Sequence, residues 1–186
     1  MKKFAFVFAA VIMLVLAPDA GLAARVAFPA NGDYYIVPSS SSSFAMDVQY
    51  GKLAPETPIW LYRKNNSPAQ VFTLKRVDGD WYTITHKASG LAINIRKGDT
   101  ENDARLWLYR DEGAAGCYWR FRNLGGGYYV IQSRLGAQRV IDLHNNDPHD
   151  EAVIHMWEYH DGPSAAWKLI PLNPQPIVID KKTLLK

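Results

Sequence analysis

The hexapeptide RLWLYR at residues 105–110 nearly repeats PIWLYR at residues 58–63, which lies 47 positions earlier. A weaker third copy, IHMWE, follows at residues 154–158. Similarity within one chain at a fixed period indicates that a supersecondary unit is repeated. If the whole unit is repeated, other parts of it must recur with the same period.

Three further landmarks recur in the same order, at spacings of 47 or 48 residues. The equivalent residues are Tyr34, Trp81 and Tyr128, then Asp47, Asn94 and Asp142, then Phe72, Trp119 and Trp167. One chance match would mean little, but four landmarks in one order predict a true threefold repeat. The three repeats, of about 47 residues each, cover about residues 34–77, 81–124 and 128–172.

Each landmark has the composition of a β-strand, because its residues alternate in polarity or form short β-branched and aromatic runs. Turn-forming stretches such as SSSSS at residues 39–43 and KASG at residues 87–90 separate the landmarks. Four strands in each of three repeats can close around one axis and bury their apolar faces together. The sequence therefore predicts an all-β fold, a β-trefoil. A three-bladed propeller is the alternative, but propellers usually have at least four blades.

The N-terminus has the layout of a secretory signal peptide over residues 1–24. Two lysines precede an unbroken run of 14 apolar residues, and small residues lead up to Ala23 and Ala24. The run is too short for a membrane span, which needs about 20 residues. We expect cleavage near Ala23 or Ala24 and a secreted protein, extracellular or periplasmic.

The remaining chain suits a single domain, with the trefoil at residues 25–172 and a C-terminal tail at residues 173–186. The formal net charge is only +3, from 21 basic and 18 acidic residues. A nucleic-acid or membrane-surface binder would show a clustered basic excess, so neither partner is expected. Cys117 is the single cysteine, which excludes an internal disulfide bond. We expect it to be buried, while pairing between chains stays open.

The ordered motifs resemble those of the ricin-type (ricin B-chain-like) β-trefoil lectin family, in a secreted bacterial form. The carriers are YYIV, AMDV, IWLY and QVF in repeat one, YTI, AINI, LWLY and CYWRF in repeat two, and YVI, VIDL, IHMW and AAWKL in repeat three. The resemblance covers the chain apart from its two ends. It implies a β-trefoil that packs Phe72, Trp119 and Trp167 around its axis and binds carbohydrate without catalysis.

The resemblance also implies one sugar site in each repeat. In the family, an acid accepts hydrogen bonds from two sugar hydroxyls, and an aromatic ring stacks on the apolar C–H face of the sugar. The implied pairs are Asp47 with Tyr62, Asn94 with Tyr109, and Asp142 with Trp157. An amide makes weaker hydrogen bonds than a carboxylate, so the site in repeat two is expected to be the weakest.

Several polar residues are expected to support these sites. Asn65 and His160 each lie three residues after the aromatic residue, and His155 occupies a position where many family members have glutamine. An asparagine that the family usually carries is absent, since the aligned residues are Ala69, Gly116 and Ser164. The expected partners are therefore glycans, whether galactose-type or other cell-surface or polysaccharide sugars.

Catalysis is not expected, because each implied pocket has one aligned carboxylate where a glycosidase needs two. No cofactor or metal site is expected either. His144 and His149, with Asp147 and Asp150, lie in a proline-containing loop without the spacing of a zinc site.

Three functions stay open. The first is a carbohydrate-binding protein that acts alone. The second is a targeting or adhesion subunit of a toxin complex, with a separate toxin or enzyme chain. The third is a trefoil that binds no sugar, such as a protease inhibitor. The recurring pair of acid and aromatic residue favours the first two.

Overall fold

The computed structural model describes residues 28–136 and 138–173. Within these ranges the chain contains twelve β-strands and short 3-10 turns, and no α-helix. No helix there has the length and apolar character needed to cross a membrane. The predicted signal peptide and nearly all of the predicted C-terminal tail lie outside the described residues.

The strands are β1 (Gly32–Pro38), β2 (Phe44–Val48), β3 (Ile59–Arg63), β4 (Phe72–Asp78), β5 (Trp81–His86), β6 (Ala92–Ile95), β7 (Leu106–Tyr109), β8 (Tyr118–Gly125), β9 (Tyr128–Ser133), β10 (Arg139–Leu143), β11 (Ala152–Glu158) and β12 (Ala166–Pro171). Four strands belong to each repeat, which are β1–β4, β5–β8 and β9–β12. The prediction of an all-β fold with four strands per repeat is confirmed.

The first and fourth strands of the repeats form a closed six-stranded barrel. Antiparallel pairing runs in the order β1, β4, β5, β8, β9 and β12, and β12 pairs again with β1. Closure leaves the barrel without an unpaired edge. The ring explains why repeats one and three, which are far apart in sequence, are neighbours in space.

The second and third strands of each repeat form hairpins, β2–β3, β6–β7 and β10–β11. The hairpins also contact one another, because β3 pairs with β11 and two isolated bridges join Pro58 to Trp107 and Arg105 to His155. The three hairpins therefore form a second threefold layer beside the barrel, as in a β-trefoil.

The predicted axial aromatic residues, Phe72, Trp119 and Trp167, are fully buried, which confirms their place in the core. Their burial supplies much of the packing energy of the domain. Two of them also make hydrogen bonds to the hairpin layer. Trp119 Nε1 donates to Ile93 O at 3.1 Å, and Trp167 Nε1 donates to Ile141 O at 2.8 Å. The core thereby fixes the backbone directly before residues 94 and 142.

Candidate functional site

Strand register places each predicted acid or amide on the same face as its predicted aromatic partner. In the β2–β3 hairpin, Asp47 lies opposite Trp60, and Ala45 lies opposite Tyr62. Residues two apart on a strand point to the same side, so Asp47, Trp60 and Tyr62 share one face. The same register sets Asn94 opposite Trp107 and Asp142 opposite His155.

Each of these faces lines a surface cleft. Cleft 1 has a volume of about 460 Å³ and is lined by Asp47, Tyr50, Trp60, Tyr62, Asn65 and Glu151, with others. Cleft 2 has about 460 Å³ and is lined by Asn94, Lys97, Trp107, Tyr109, Glu112 and Gly116, with others. Cleft 3 is smaller, about 280 Å³, and is lined by Asp142, His144, His155, Trp157, His160 and Ser164, with others. Each of the nine site residues predicted from the sequence lines one of these clefts. Three of them line cleft 1, two line cleft 2 and four line cleft 3.

In cleft 1, Asp47 is only 5% exposed, and its Oδ1 accepts a 2.9 Å hydrogen bond from Trp60 Nε1. Burial raises the pKa of Asp47, and the hydrogen bonds from Trp60 and Gln70 oppose that rise. Tyr62 is half-buried and stacks on Trp60, with ring centroids 5.8 Å apart. The exposed Tyr50 meets Trp60 edge-on at 5.0 Å. Cleft 1 therefore combines a wide aromatic surface with one buried carboxylate.

Gln70, the one glutamine that the family pattern retains, organises the rim of cleft 1. Its Nε2 donates to Arg63 O and its Oε1 accepts from Asn65 N, both at 3.0 Å. These bonds hold the loop that follows Tyr62, and with it Asn65. In repeat two the aligned residue is Cys117, whose thiol donates to Ala114 O at 2.9 Å. The thiol is fully buried and so cannot reach another chain while the domain is folded.

In cleft 3, the carboxylate of Asp142 has protein partners at both oxygens. Oδ1 lies 3.3 Å from His155 Nε2, while Oδ2 accepts from Ser164 Oγ at 2.7 Å and lies 3.3 Å from His160 Nε2. Asp142 is 4% exposed. His160 is exposed, so its contact with Oδ2 is open to solvent, whereas the contacts of Asp142 with His155 and Ser164 are buried.

His155 lines cleft 3 but is only 2% exposed, so little of its surface is open to a ligand. Trp157 is half-buried and stacks on it, with ring centroids 5.2 Å apart and planes 28° from parallel. The buried ring of His155 therefore packs against the inner face of Trp157, and its Nε2 atom orients Asp142. Trp60 and Trp107 occupy the same register in the other two repeats. The sequence period aligns Trp60, Trp107 and His155 with one another. It does not show that each of them stacks on the aromatic ring of its cleft.

In cleft 2, the amide of Asn94 occupies space that a side chain at position 116 would need. A Cβ atom built on Gly116 would lie 2.6 Å from Asn94 Oδ1. Trp107 Nε1, the counterpart of the Trp60 donor, has no hydrogen-bond partner among the described residues. Tyr109 still stacks on Trp107, with centroids 5.2 Å apart. Cleft 2 therefore keeps the aromatic surface, but the neutral amide of Asn94 stands where the other two clefts have a buried carboxylate.

Acidic residues from a neighbouring repeat stand beside clefts 1 and 3, and the sequence analysis did not identify them. Asp103 and Glu151 stand at equivalent positions before β7 and β11, both with positive φ. Asp103 N donates to Met156 O on β11, which brings its carboxylate to 2.7 Å from His155 Nδ1. Glu151 lines cleft 1. Asp103 and Glu151 lie 48 residues apart, so the sequence repeat marks them as equivalent residues. Only the ring of hairpins shows which cleft each acid stands beside.

Comparison with known proteins agrees with this architecture. Residues 68–157 match the family described as ricin-type beta-trefoil lectin domain-like. None of the curated proteins matches the sequence. The structure is similar to that of ThreeFoil, a designed protein with threefold symmetry, with a TM-score of 0.72 and 25% sequence identity over 76% of this chain and 99% of that chain.

Two natural proteins are also similar. An exo-beta-1,3-galactanase from Clostridium thermocellum gives a TM-score of 0.72 and 27% identity, over 78% of this chain but only 31% of that chain. The agglutinin of Rhizoctonia solani gives a TM-score of 0.69 and 20% identity, over 80% of this chain and 99% of that chain. Residues 68–157 therefore resemble the ricin-type β-trefoil lectin-like family, and the described part of the chain shares its β-trefoil fold with these proteins.

Proposed function

We propose that the chain is a non-catalytic carbohydrate-binding protein that holds one sugar ring in cleft 1 and one in cleft 3. The family match supports carbohydrate binding in general. The observation that carries the specific proposal is the shared face of each hairpin, where a buried acid and a half-buried aromatic ring line one cleft.

The two groups suit the two unlike parts of a sugar. Tyr62 or Trp157 offers a flat ring on which the C–H face of a sugar can pack. Asp47 or Asp142 offers carboxylate oxygens that accept hydrogen bonds from hydroxyls, which are stronger than bonds to a neutral acceptor. The supporting polar residues are Asn65 in cleft 1 and His160 in cleft 3.

Cleft 2 is proposed to be the weakest of the three. Its acceptor is the neutral amide of Asn94, and the Oδ1 atom of that amide is directed towards Gly116. Tyr109 offers a sugar a stacking surface, but no buried carboxylate stands beside it as in clefts 1 and 3. We therefore expect two occupied clefts per chain at moderate sugar concentrations, and the two together raise the avidity for a polymeric glycan.

The absence of catalysis is proposed on the family match and, for cleft 3, on the state of Asp142. A glycosidase needs one carboxylate as acid and a second as nucleophile or base. Both oxygens of Asp142 already accept protein hydrogen bonds, so this group is placed to bind rather than to attack. Secretion is proposed separately, on the layout of residues 1–24, and N-terminal sequencing of exported protein would test it.

A glycan array tests the function. The protein is compared with a Tyr62→Ala/Trp157→Ala double variant and with Tyr128→Ala. Tyr128 is equally half-buried but lies outside all three clefts. We expect the double variant to lose its glycan signals and the control to retain them. Equal retention by the double variant would overturn the proposal.

A further inference from the structure

We propose that Asp103, His144 and His155 form a binding site for a divalent transition metal such as Zn²⁺ beside cleft 3. One ligand atom from each residue lies within 4.8 Å of the other two. Asp103 comes from the loop before β7, His144 begins the turn after β10, and His155 lies on β11. The cluster joins two repeats, so no spacing along the sequence reveals it.

The hydrogen bonding of His155 points to a cation. Its Nδ1 lies 2.7 Å from Asp103 Oδ1 and its Nε2 lies 3.3 Å from Asp142 Oδ1. A neutral imidazole carries only one N–H, so one of its two nitrogens must direct a lone pair at a carboxylate. Without a metal ion, the 2.7 Å separation of Nδ1 and Asp103 Oδ1 is that of a hydrogen bond donated by Nδ1. A metal ion bound by Nδ1 and Asp103 would replace this hydrogen bond, and the N–H on Nε2 would then be donated to the buried Asp142.

The donor set matches the chemistry of such ions. Two imidazole nitrogens and one carboxylate oxygen are typical of zinc sites that retain an open fourth position. Imidazole also favours this class of metal over Ca²⁺ and Mg²⁺. A metal-bound histidine usually donates its other N–H to a carboxylate, which is the role that Asp142 has toward His155.

The site has one fixed ligand and two adjustable ones. His155 is buried, whereas the side chain of Asp103 is 61% exposed and His144 is also exposed. Bonds of about 2 Å to zinc place neighbouring ligand atoms roughly 3.3 Å apart. Because Asp103 and His144 are exposed, their side chains are free to rotate toward this spacing.

The other two repeats act as internal controls. The turn that begins with His144 begins with Gln49 and Arg96 in repeats one and two. The residues in register with His155 are Trp60 and Trp107. An acid before the third strand recurs, as Asp103 and Glu151 show. The two histidines, in contrast, occur only at cleft 3. The cluster is specific to repeat three and is not a general feature of the fold.

Calorimetric titration of the untagged chain with ZnCl₂, after removal of metal by EDTA and dialysis, tests the site. We expect one saturable site per chain, with affinity at least about tenfold lower in Asp103→Asn and in His144→Ala, a loss of about 1.4 kcal/mol. Both residues are exposed, so the variants should fold. Visible absorption of bound Co²⁺ provides a second readout that reports the ligand geometry.

The matched control is His149→Ala, which removes an exposed histidine of the same loop. We expect this variant to bind zinc as the parent chain does. Absence of saturable binding at millimolar zinc would overturn the proposal. Binding that is lost in His149→Ala but kept in His144→Ala would also overturn it, because the metal would then bind the loop around Asp147. Neither outcome bears on sugar binding, which the glycan array tests separately.

Discussion

Trp60 and Asp47 face each other across the β2–β3 hairpin, and Trp60 Nε1 donates a 2.9 Å hydrogen bond to the nearly buried Asp47 carboxylate. Burial is the largest influence on this carboxylate and raises its pKa. A raised pKa means that the ionised form is less favourable in the folded protein than in the unfolded chain. The stability from this group is present at low pH and falls as pH rises through the folded pKa. At neutral pH, Asp47 therefore lowers stability while it equips cleft 1 with a charged acceptor.

Asp47→Asn should separate stability from binding. We expect the free energy of unfolding at pH 7 to stay equal or to rise, because the amide removes the desolvated charge. We expect sugar affinity at cleft 1 to fall by about tenfold, because a neutral oxygen is the weaker acceptor. Urea denaturation and calorimetry measure the two effects.

Asp33→Asn is the comparison variant, because the pKa of Asp33 is shifted in the opposite direction to that of Asp47. The hydrogen bonds of Lys87 and Thr73 to Asp33 lower its pKa, so the ionised form stabilises the folded state above the unfolded pKa. We expect this variant to lose stability at pH 7 and to bind sugar normally. If Asp47→Asn were the less stable of the two and kept its affinity, the role assigned to Asp47 would be wrong.

Gly116→Ala should strain cleft 2. Its Cβ would lie 2.6 Å from Asn94 Oδ1, and Asn94 is a buried residue with little freedom to move. We expect a loss of about 1–3 kcal/mol in the free energy of unfolding, typical of overpacking. The same change in an Asn94→Ala background should cost much less, because the clashing atom is gone. Equal losses in both backgrounds would show that the contact does not matter.

Cys117 should be unreactive in the folded protein. Burial is the main cause that raises the pKa of its thiol to about 12, and the neighbouring Asp111 adds to this effect. Only the thiolate reacts rapidly with thiol reagents. We expect no labelling by Ellman's reagent at pH 8 and one thiol per chain in guanidinium chloride. Rapid labelling of the native protein would contradict the burial of this residue.

His86 should make stability sensitive to mild acid. Burial lowers its pKa, although its hydrogen bond to Pro68 O and the charge of Asp47 oppose the change. With a depressed folded pKa, its stability is fully present above the unfolded value of about 6.5 and is lost as pH falls through the folded value. Unfolding free energies between pH 7.5 and 5 should fall less steeply in His86→Gln than in the parent chain. A slope in His86→Gln identical to that of the parent chain would refute this assignment.

The fold was predictable because the evidence for it is local and repeated. Strand alternation, turn residues and the 47-residue period all lie along the chain. The hairpin register also follows from alternation, which is why Asp47 and Tyr62 could be paired from sequence. The aromatic character of positions 72, 119 and 167 identified the core for the same reason.

The remaining features of the site depend on contacts between repeats and on how deeply each side chain is buried. The sequence does not show that Asp103 reaches His155 of the next repeat, since only the ring of hairpins brings them together. Nor does it show that Ser164, which is aligned with the asparagine of the family, donates a hydrogen bond to Asp142. Hydrogen bonds of this kind depend on distances that a linear pattern does not encode.

The most direct test of sugar binding in clefts 1 and 3 is proton–nitrogen correlation NMR of the indole groups during titration with the preferred sugar. The chain has six tryptophans, and they report from different depths. We expect the indole signals of Trp60 and Trp157 to shift and those of the core residues Trp119 and Trp167 to stay. In Tyr62→Ala/Trp157→Ala, the remaining Trp60 signal should no longer respond. Shifts that spare Trp60 and Trp157, or that persist for Trp60 in the double variant, would contradict the assignment of the two clefts.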